Sequence, residues 1–309
     1  MKVITEPSVY VLGRQTVDQA ELDRFLVDHG VSWESDSEVA GEVLTETAGR
    51  VCYMSFAKPR PGGNSAYLTH IKEVGHGSVL EHAVWNLLLT GVSRSLTHEL
   101  VRHRAGFGFS QLSQRYVDES VAEYVEPDII ARDPELHAIW LESVKQSHAA
   151  YMKLADALSA KLTNTFGPCD NPNCERGYQA DHLKVRTYVA CPTCKGSPSK
   201  AWYAAPLGRF VPGWENGLTA TDRRKAARQA ARSVLPNATE TKIFITANAR
   251  ALRHFMEQRG SVHAEPEIRK LSCAILDALQ KDAPNLFSDY QKVPLPDGTF
   301  ELVTQFKKV

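Results

Sequence analysis

The sequence predicts an α/β protein of the α+β kind with one cysteine-bearing insertion, on three observations. Stretches that alternate apolar and polar residues, such as TKIFITAN (241–248), read as half-buried strands. Stretches with apolar residues every three to four positions, such as EPEIRKLSCAILDALQKDAP (265–284), read as amphipathic helices. Between them, GPCDNPNCERGYQADHLKVRTYVACPTCKGSPSK (167–200) breaks both periods with Gly, Pro, Cys and charge.

The elements follow in order. SVYVLG (8–13) reads as a short strand, and QAELDRFLVDHG (19–30) as a helix closed by Gly30. A second helix lies within 35–55, with Ser35 or Asp36 as its N-cap, and a third runs from about Asn64 to Val74. EHAVWNLLLTGVSRS (81–95) reads as a strand, followed by a helix over LTHELVRHR (96–104). Residues 118–135, acidic and proline-bearing, read as loop, and a long helix fits from about Pro134 to Asn164. A basic helix over 219–236 ends near Pro236. After the strand at 241–248 come a helix over ARALRHFMEQRG (249–260) and the last amphipathic helix. Residues 1–166 and 201–309 are expected to form one domain, with 167–200 as the insertion.

Composition narrows the function. The chain has 309 residues, 43% apolar and 23% charged, with formal net charge zero. No bulk field draws it to nucleic acid or an anionic membrane, so its basic clusters are local devices. The N-terminus lacks the basic head and long apolar core of a signal peptide. AVWNLLLTGV (83–92), the longest apolar passage, is interrupted by Asn86 and too short to span a bilayer. A soluble, cytoplasmic protein without a membrane partner is expected.

Four of the six cysteines lie within 26 residues. Cys169 and Cys174 form C-x4-C, Cys191 and Cys194 form C-x2-C, and 16 residues separate the pairs. Two tight thiolate corners joined by a hairpin resemble a zinc ribbon, and four thiolates suit structural Zn²⁺. Free thiols in a loop are the alternative. Cys52 and Cys273 read as small core residues.

The chemistry concentrates in RHRAGFGFSQLSQRY (102–116). Arginine presents a planar fork of donors that suits phosphate and carboxylate and stays charged at any working pH. In a helix or strand Arg102, His103 and Arg104 cannot all share one face, so they address different partners. The glycines let backbone approach a ligand, and Ser113, Gln114, Arg115 and Tyr116 add hydroxyls, an amide and a further guanidinium. The bland alternative is a solvated helix end whose cations meet its last carbonyls.

Arg-His-Arg, eight residues, then Ser113 resembles the signature of the flavin-dependent thymidylate synthases. HGSVLEH (76–82), ARSVLP (231–236) and NARALRHFMEQRGSVHAEPEIR (248–269) resemble three further blocks of that family, in the same order and spacing. The resemblance implies the family's fold, a central mixed sheet with helices. It implies FAD, reduced by NADPH, and a one-carbon unit passed from methylenetetrahydrofolate to C5 of dUMP. It also implies a homotetramer with active sites shared between subunits. By the same resemblance His76, Ser78, Arg102, His103, Arg104, Gln111, Asn248, His254 and His263 are flavin contacts. Glu99, Ser113, Gln114, Arg115, Tyr116, Arg232 and Arg259 are nucleotide contacts, and Arg259 and Ser113 are the catalytic candidates. Some relatives in nucleoside-antibiotic pathways methylate UMP instead. The family does not generally carry the cysteine insertion, and no cysteine nucleophile is implied. A zinc-ribbon nucleic-acid-binding protein is the competing reading, disfavoured by the neutral charge and the lack of an aromatic-basic stripe.

Overall fold

The computed structural model describes residues 2–57, 61–161, 178–180, 188–190 and 220–309. Its strands are β1 (Lys2–Ile4), β2 (Ser8–Arg14), β3 (Val84–Ser93), β4 (Phe107–Gln111), β5 (Glu123–Val125), β6 (Tyr178–Ala180), β7 (Tyr188–Ala190), β8 (Glu240–Asn248), β9 (Gln291–Pro294) and β10 (Phe300–Val303). Its helices are α1 (Gln19–Asp28), α2 (Ala40–Tyr53), α3 (Gly63–Glu73), α4 (Arg94–Leu100), α5 (Asp128–Ala131), α6 (Pro134–Lys161), α7 (Ala220–Ala231), α8 (Ala249–Arg259), α9 (Pro266–Asp282) and α10 (Pro284–Phe287). The chain divides into two compact units. One comprises Met1–Leu112, Ala122–Ala138 and Asn237–Val309, the other Ser113–Val121 and Ile139–Pro236.

The first unit is built on a four-stranded sheet in the order β2-β3-β8-β4. Every pairing in it is antiparallel. Where one mixed sheet is expected, parallel and antiparallel pairings are thus divided between sheets: the parallel pair is β1 with β5. Alternation along β3 buries Trp85, Leu87 and Leu89, and along β8 Ile243, Ile245 and Ala247. These pack with Leu252, Phe255 and Met256 of α8 and with Leu271, Ile275 and Leu279 of α9 in one apolar core. Burying each large side chain stabilises the unit by roughly 1.5–3 kcal/mol.

Several expectations need correction. The N-cap of α2 is Val39, without a side-chain cap bond, and neither Ser35 nor Asp36 serves there. Asp36 instead accepts from the backbone N–H of Asn64 at 2.7 Å, at the start of α3. Residues 118–135 are not all loop, since they hold β5, α5 and a 3-10 turn over Glu119–Val121. The helix before the cationic triplet stops at Leu100. Cys52 is exposed rather than buried. The buried stripe of α2 runs through Val43, Glu46 and Arg50, and position 52 lies off it.

In the second unit β6 and β7 pair antiparallel, Tyr178 opposite Ala190, within the stretch between Cys174 and Cys191. Cys169, Cys174, Cys191 and Cys194 themselves lie outside the described residues. Among the described residues no group of three or more His, Cys, Asp and Glu could hold a metal ion. No described helix is long and apolar enough to cross a membrane.

Candidate functional site

Two helix ends and one turn build the densest cluster of expected site residues. Helix α4 is fixed at its start by Ser93, whose Oγ accepts from Leu96 N–H at 3.0 Å and donates to Glu267 at 2.7 Å. Leu96 and Leu100 are buried, which leaves Glu99 at the helix's half-exposed C-terminal edge. The chain then turns: the N–H of Arg102 reaches Glu99 O at 3.2 Å and that of His103 reaches Leu100 O at 3.1 Å. Gly106 closes the turn at φ +73°, where a Cβ would stand 2.7 Å from Ala251 Cβ, so the turn lies tight against α8. Helix α8 is itself capped by Asn248, whose side chain accepts from Ala251 N–H at 2.8 Å.

This frame brings Glu99, His103, His254 and Arg259 together. Arg259 Nη1 donates to Glu99 Oε2 at 2.5 Å, and Arg259 Nε donates to His103 Nε2 at 3.1 Å. The His103 ring stands edge-on to Phe255, at 5.2 Å between centroids, and to His254 at 5.9 Å. Burial, the Arg259 cation and His254 together push the His103 pKa down to about 4, so the imidazole is neutral at physiological pH. A guanidinium held by one carboxylate and one neutral imidazole can donate its remaining N–H bonds to a carbonyl or an oxyanion.

The other expected flavin contacts of this unit are arranged around that cluster's chain segments. Arg102 and Arg104 are exposed, and neither makes a side-chain hydrogen bond or ion pair among the described residues. Gln111, at the end of β4, donates to Thr97 Oγ1 at 3.0 Å and Thr241 Oγ1 at 3.3 Å. His76 is exposed and stacks on Tyr53, with centroids 6.2 Å apart. Ser78 is exposed, while Gly77 between them is buried: a Cβ there would lie 3.1 Å from Arg250 Nε. Arg250 pairs with Glu81 at 2.5 Å beside that segment. With His254, Glu257, Ser261, Lys307 and Lys308 it lines a cavity of about 600 Å³. The sequence signal for Arg250 was its place one turn before His254 on the same face of α8. His263 is exposed, and among the described residues only its backbone N–H is engaged, to Ser261 Oγ at 3.4 Å.

The expected nucleotide run lies in the second unit. Ser113 O accepts from the N–H groups of Tyr116 and Val117, which folds Ser113–Tyr116 into one turn. The Ser113 hydroxyl accepts from Arg115 N–H at 3.4 Å, and no described imidazole or carboxylate is bonded to it. Gln114 Nε2 and Arg115 Nε are buried without a partner among the described residues. Such orphaned donors fit a polar ligand, since leaving a buried donor unsatisfied costs about 1–3 kcal/mol. From α7, Arg228 donates to Tyr116 O at 2.9 Å and to Asp118 at 2.6 Å, and Lys225 sits 4.7 Å from the Tyr116 ring centre. Arg232, half-buried in the 3-10 turn after α7, has no side-chain partner among the described residues.

Neither described cysteine is arranged as a nucleophile. Cys273 is buried in α9, its Sγ reaches Phe300 O at 3.6 Å, and burial pushes the thiol up to about 11. It therefore stays protonated at any working pH. Cys273→Ala and Cys52→Ala are expected to leave turnover within a few-fold in a steady-state assay. A thousandfold loss with an intact fold would show a thiolate at work.

The family described as "Thymidylate synthase complementing protein" matches residues 36–285. The flavin-dependent thymidylate synthase of Mycobacterium sp. (strain JLS) is 44% identical over 277 residues, 89% of each chain. That of Corynebacterium efficiens is 39% identical over 286 residues, 92% of this chain and 93% of the other. Among solved structures, the fold is similar to a UMP/dUMP methylase, PolB from Streptomyces cacaoi bound with 5-Br dUMP. The TM-score is 0.54 at 15% identity, over 93% of this chain and 96% of that one. The same methylase bound with 5-Br UMP gives 0.53 at 16% identity. By the family match and this identity over nearly the whole of both chains, the protein is an enzyme of the flavin-dependent thymidylate synthase family.

Proposed function

We propose that this enzyme methylates uracil C5 of a pyrimidine nucleotide, converting dUMP to dTMP, with FAD as cofactor, NADPH as reductant and methylenetetrahydrofolate as carbon donor. The observation that carries the reading is Arg259, held between Glu99 and His103 with N–H bonds to spare. Uracil C5 is a poor nucleophile until negative charge is built up on the ring, and a guanidinium on the ring's carbonyl edge stabilises that charge before C5 spends it on the carbon it attacks. FAD, when bound, supplies the hydride chemistry, and the protein supplies orientation and electrostatics.

The residues fit that group. Arg102 and Arg104, exposed and unpaired among the described residues, are free to meet a pyrophosphate. His76, Ser78, Gln111, Asn248, His254 and His263 offer it further polar contacts, and the cavity beside Arg250 and His254 gives a wall for it. Gln114 and Arg115, with buried donors unsatisfied, together with Ser113, Tyr116 and Arg232, suit the nucleotide and its phosphate. We further place the enzyme in the cytoplasm as a homotetramer with shared active sites.

UMP is the second candidate substrate, favoured by the likeness of the fold to a methylase bound with nucleotides of both sugars. One 2′-hydroxyl separates the two, and a pocket that only crowds a hydroxyl discriminates by about 10²-fold. Initial rates on dUMP and UMP, with NADPH and methylenetetrahydrofolate present, test the assignment. Faster turnover of dUMP supports it, and turnover of UMP alone reassigns the substrate. We further propose that Cys169, Cys174, Cys191 and Cys194, which lie outside the described residues, bind one structural zinc. One equivalent of zinc per chain is expected after purification without chelator, and well under one equivalent removes the metal.

A further inference from the structure

Arginine has five N–H bonds, and a long flexible stem leaves the guanidinium many orientations unless the bonds are claimed. In Arg259 two are claimed, on different nitrogens: Nη1 by Glu99 and Nε by His103. Those two partners come from α4 and from the turn after it, 160 and 156 positions away in sequence. Nη2 keeps both its hydrogens, with no partner among the described residues.

We propose that Glu99 and His103 are positioning residues that act through Arg259, fixing the guanidinium so that its three unclaimed N–H bonds, two on Nη2 and one on Nη1, are presented to the uracil. His103 does this as a neutral acceptor. Its Nε2 takes the Arg259 Nε hydrogen, so the ring's own proton sits on Nδ1. Protonation would put a donor where an acceptor is needed, beside a cation. Arg259 and His254, both on α8, oppose that second charge, and Phe107 and Phe255 deny it water. Glu99, beyond Arg259, balances the guanidinium. This division of labour rests on the uracil-facing role given to Arg259 above.

Two substitutions at one position separate the possible roles. In His103→Gln the amide oxygen can still accept from Arg259 Nε, but the ring is lost. In His103→Phe the ring still packs on Phe107 and Phe255, but the acceptor is gone. With FAD-loaded enzyme, His103→Phe is expected to lose about 100-fold in kcat with flavin content and nucleotide KM held. A misplacement of about 1 Å at a reacting group costs that much. His103→Gln is expected to recover to within about tenfold of the native enzyme, reflecting the softer amide acceptor. The reverse order would mean that the ring matters only for packing, and loss of flavin in both would mean a direct flavin contact. Either result overturns the proposal.

A second readout needs no turnover. Nitrogen-15 NMR of the histidine rings in the native holoenzyme should show His103 with Nδ1 protonated and Nε2 bare, unchanged from pH 6 to 8. In Arg259→Ala the same ring should begin to titrate in that range. A proton on Nε2 in the native protein sinks the proposal even if the variants cannot be purified. If the native enzyme turns over neither dUMP nor UMP, the assigned function fails while the tautomer still decides the positioning role.

Discussion

Arg259→Ala is expected to lower kcat by about 10²–10³-fold, the usual cost of removing one preorganised donor from a developing anion. Flavin content and overall fold should be retained. The guanidinium is only partly exposed, at 24% for its side chain, and its fixed contacts are Glu99 and His103. Deleting it leaves Glu99 unpaired, but that carboxylate is 26% exposed and can take up water, so the loss in stability stays small. The effect therefore falls on turnover. Arg259→Lys should recover little of it. A lysine ammonium matches the charge but cannot reach Glu99, the His103 nitrogen and a substrate carbonyl with one planar fork. Single-turnover rates at saturating nucleotide separate this loss from a loss of binding.

Asp289→Ala is expected to have the largest effect on stability, about 3–5 kcal/mol, because it strips the counter-charge from two buried cations. Asp289 accepts from Arg253 Nη1 and Nη2, each at 2.8 Å, from Lys72 Nζ at 2.8 Å, and from Thr304 Oγ1. Arg253 is fully buried, and its guanidinium lies 4.8 Å from the Tyr290 ring centre. Burial pushes the Asp289 carboxyl up, but the bonds and charges of Arg253 and Lys72 outweigh it and hold the pKa at about 2. Burial pushes Lys72 down, against the pull of Asp289. A carboxylate held below its unfolded pKa of about 3.9 contributes stability that is complete above that value. It is lost as pH falls toward 2. Chemical denaturation at neutral pH should give the full loss, and a change under about 1 kcal/mol would mean that Arg253 and Lys72 find other partners. The effect should also reach the site, since Arg253 lies in α8 between Leu252 and His254, in the same helix as Arg259.

The periodic elements were legible. β3 and β8 alternate because one face is buried, and α8 and α9 carry broad apolar stripes. β4 lies hidden in the sequence because its alternation, Phe107 and Phe109 against Gly108 and Ser110, spans only five residues and reads equally as a glycine-broken turn after the cationic triplet. β1, β5, β9 and β10 escaped notice because strands of three or four residues are too short for a period to register. The cap of α2 was misplaced because Asp36 satisfies the start of the next helix, a tertiary choice that no local rule contains.

At the site, motif likeness named the right segments but not their connections. Nothing in the sequence ties Glu99 to an arginine 160 positions later, or Arg253 to an aspartate 36 positions on. Arg250 and Arg253 look alike in ARALRHF, yet one is half-exposed beside Gly77 and the other is sealed in the core. The difference is that Arg253 is covered by the later segment carrying Leu286, Asp289, Tyr290 and Phe306.

The central claim is that guanidinium groups from separate chain segments hold a flavin and a uridylate in one enzyme. Its most direct measurement is equilibrium binding on the purified chain: visible absorbance after loading with FAD, then titration with dUMP and UMP. A yellow protein that binds uridylate saturably, with affinity falling as salt rises, is the expected result. A colourless protein that retains neither nucleotide in excess FAD would contradict it.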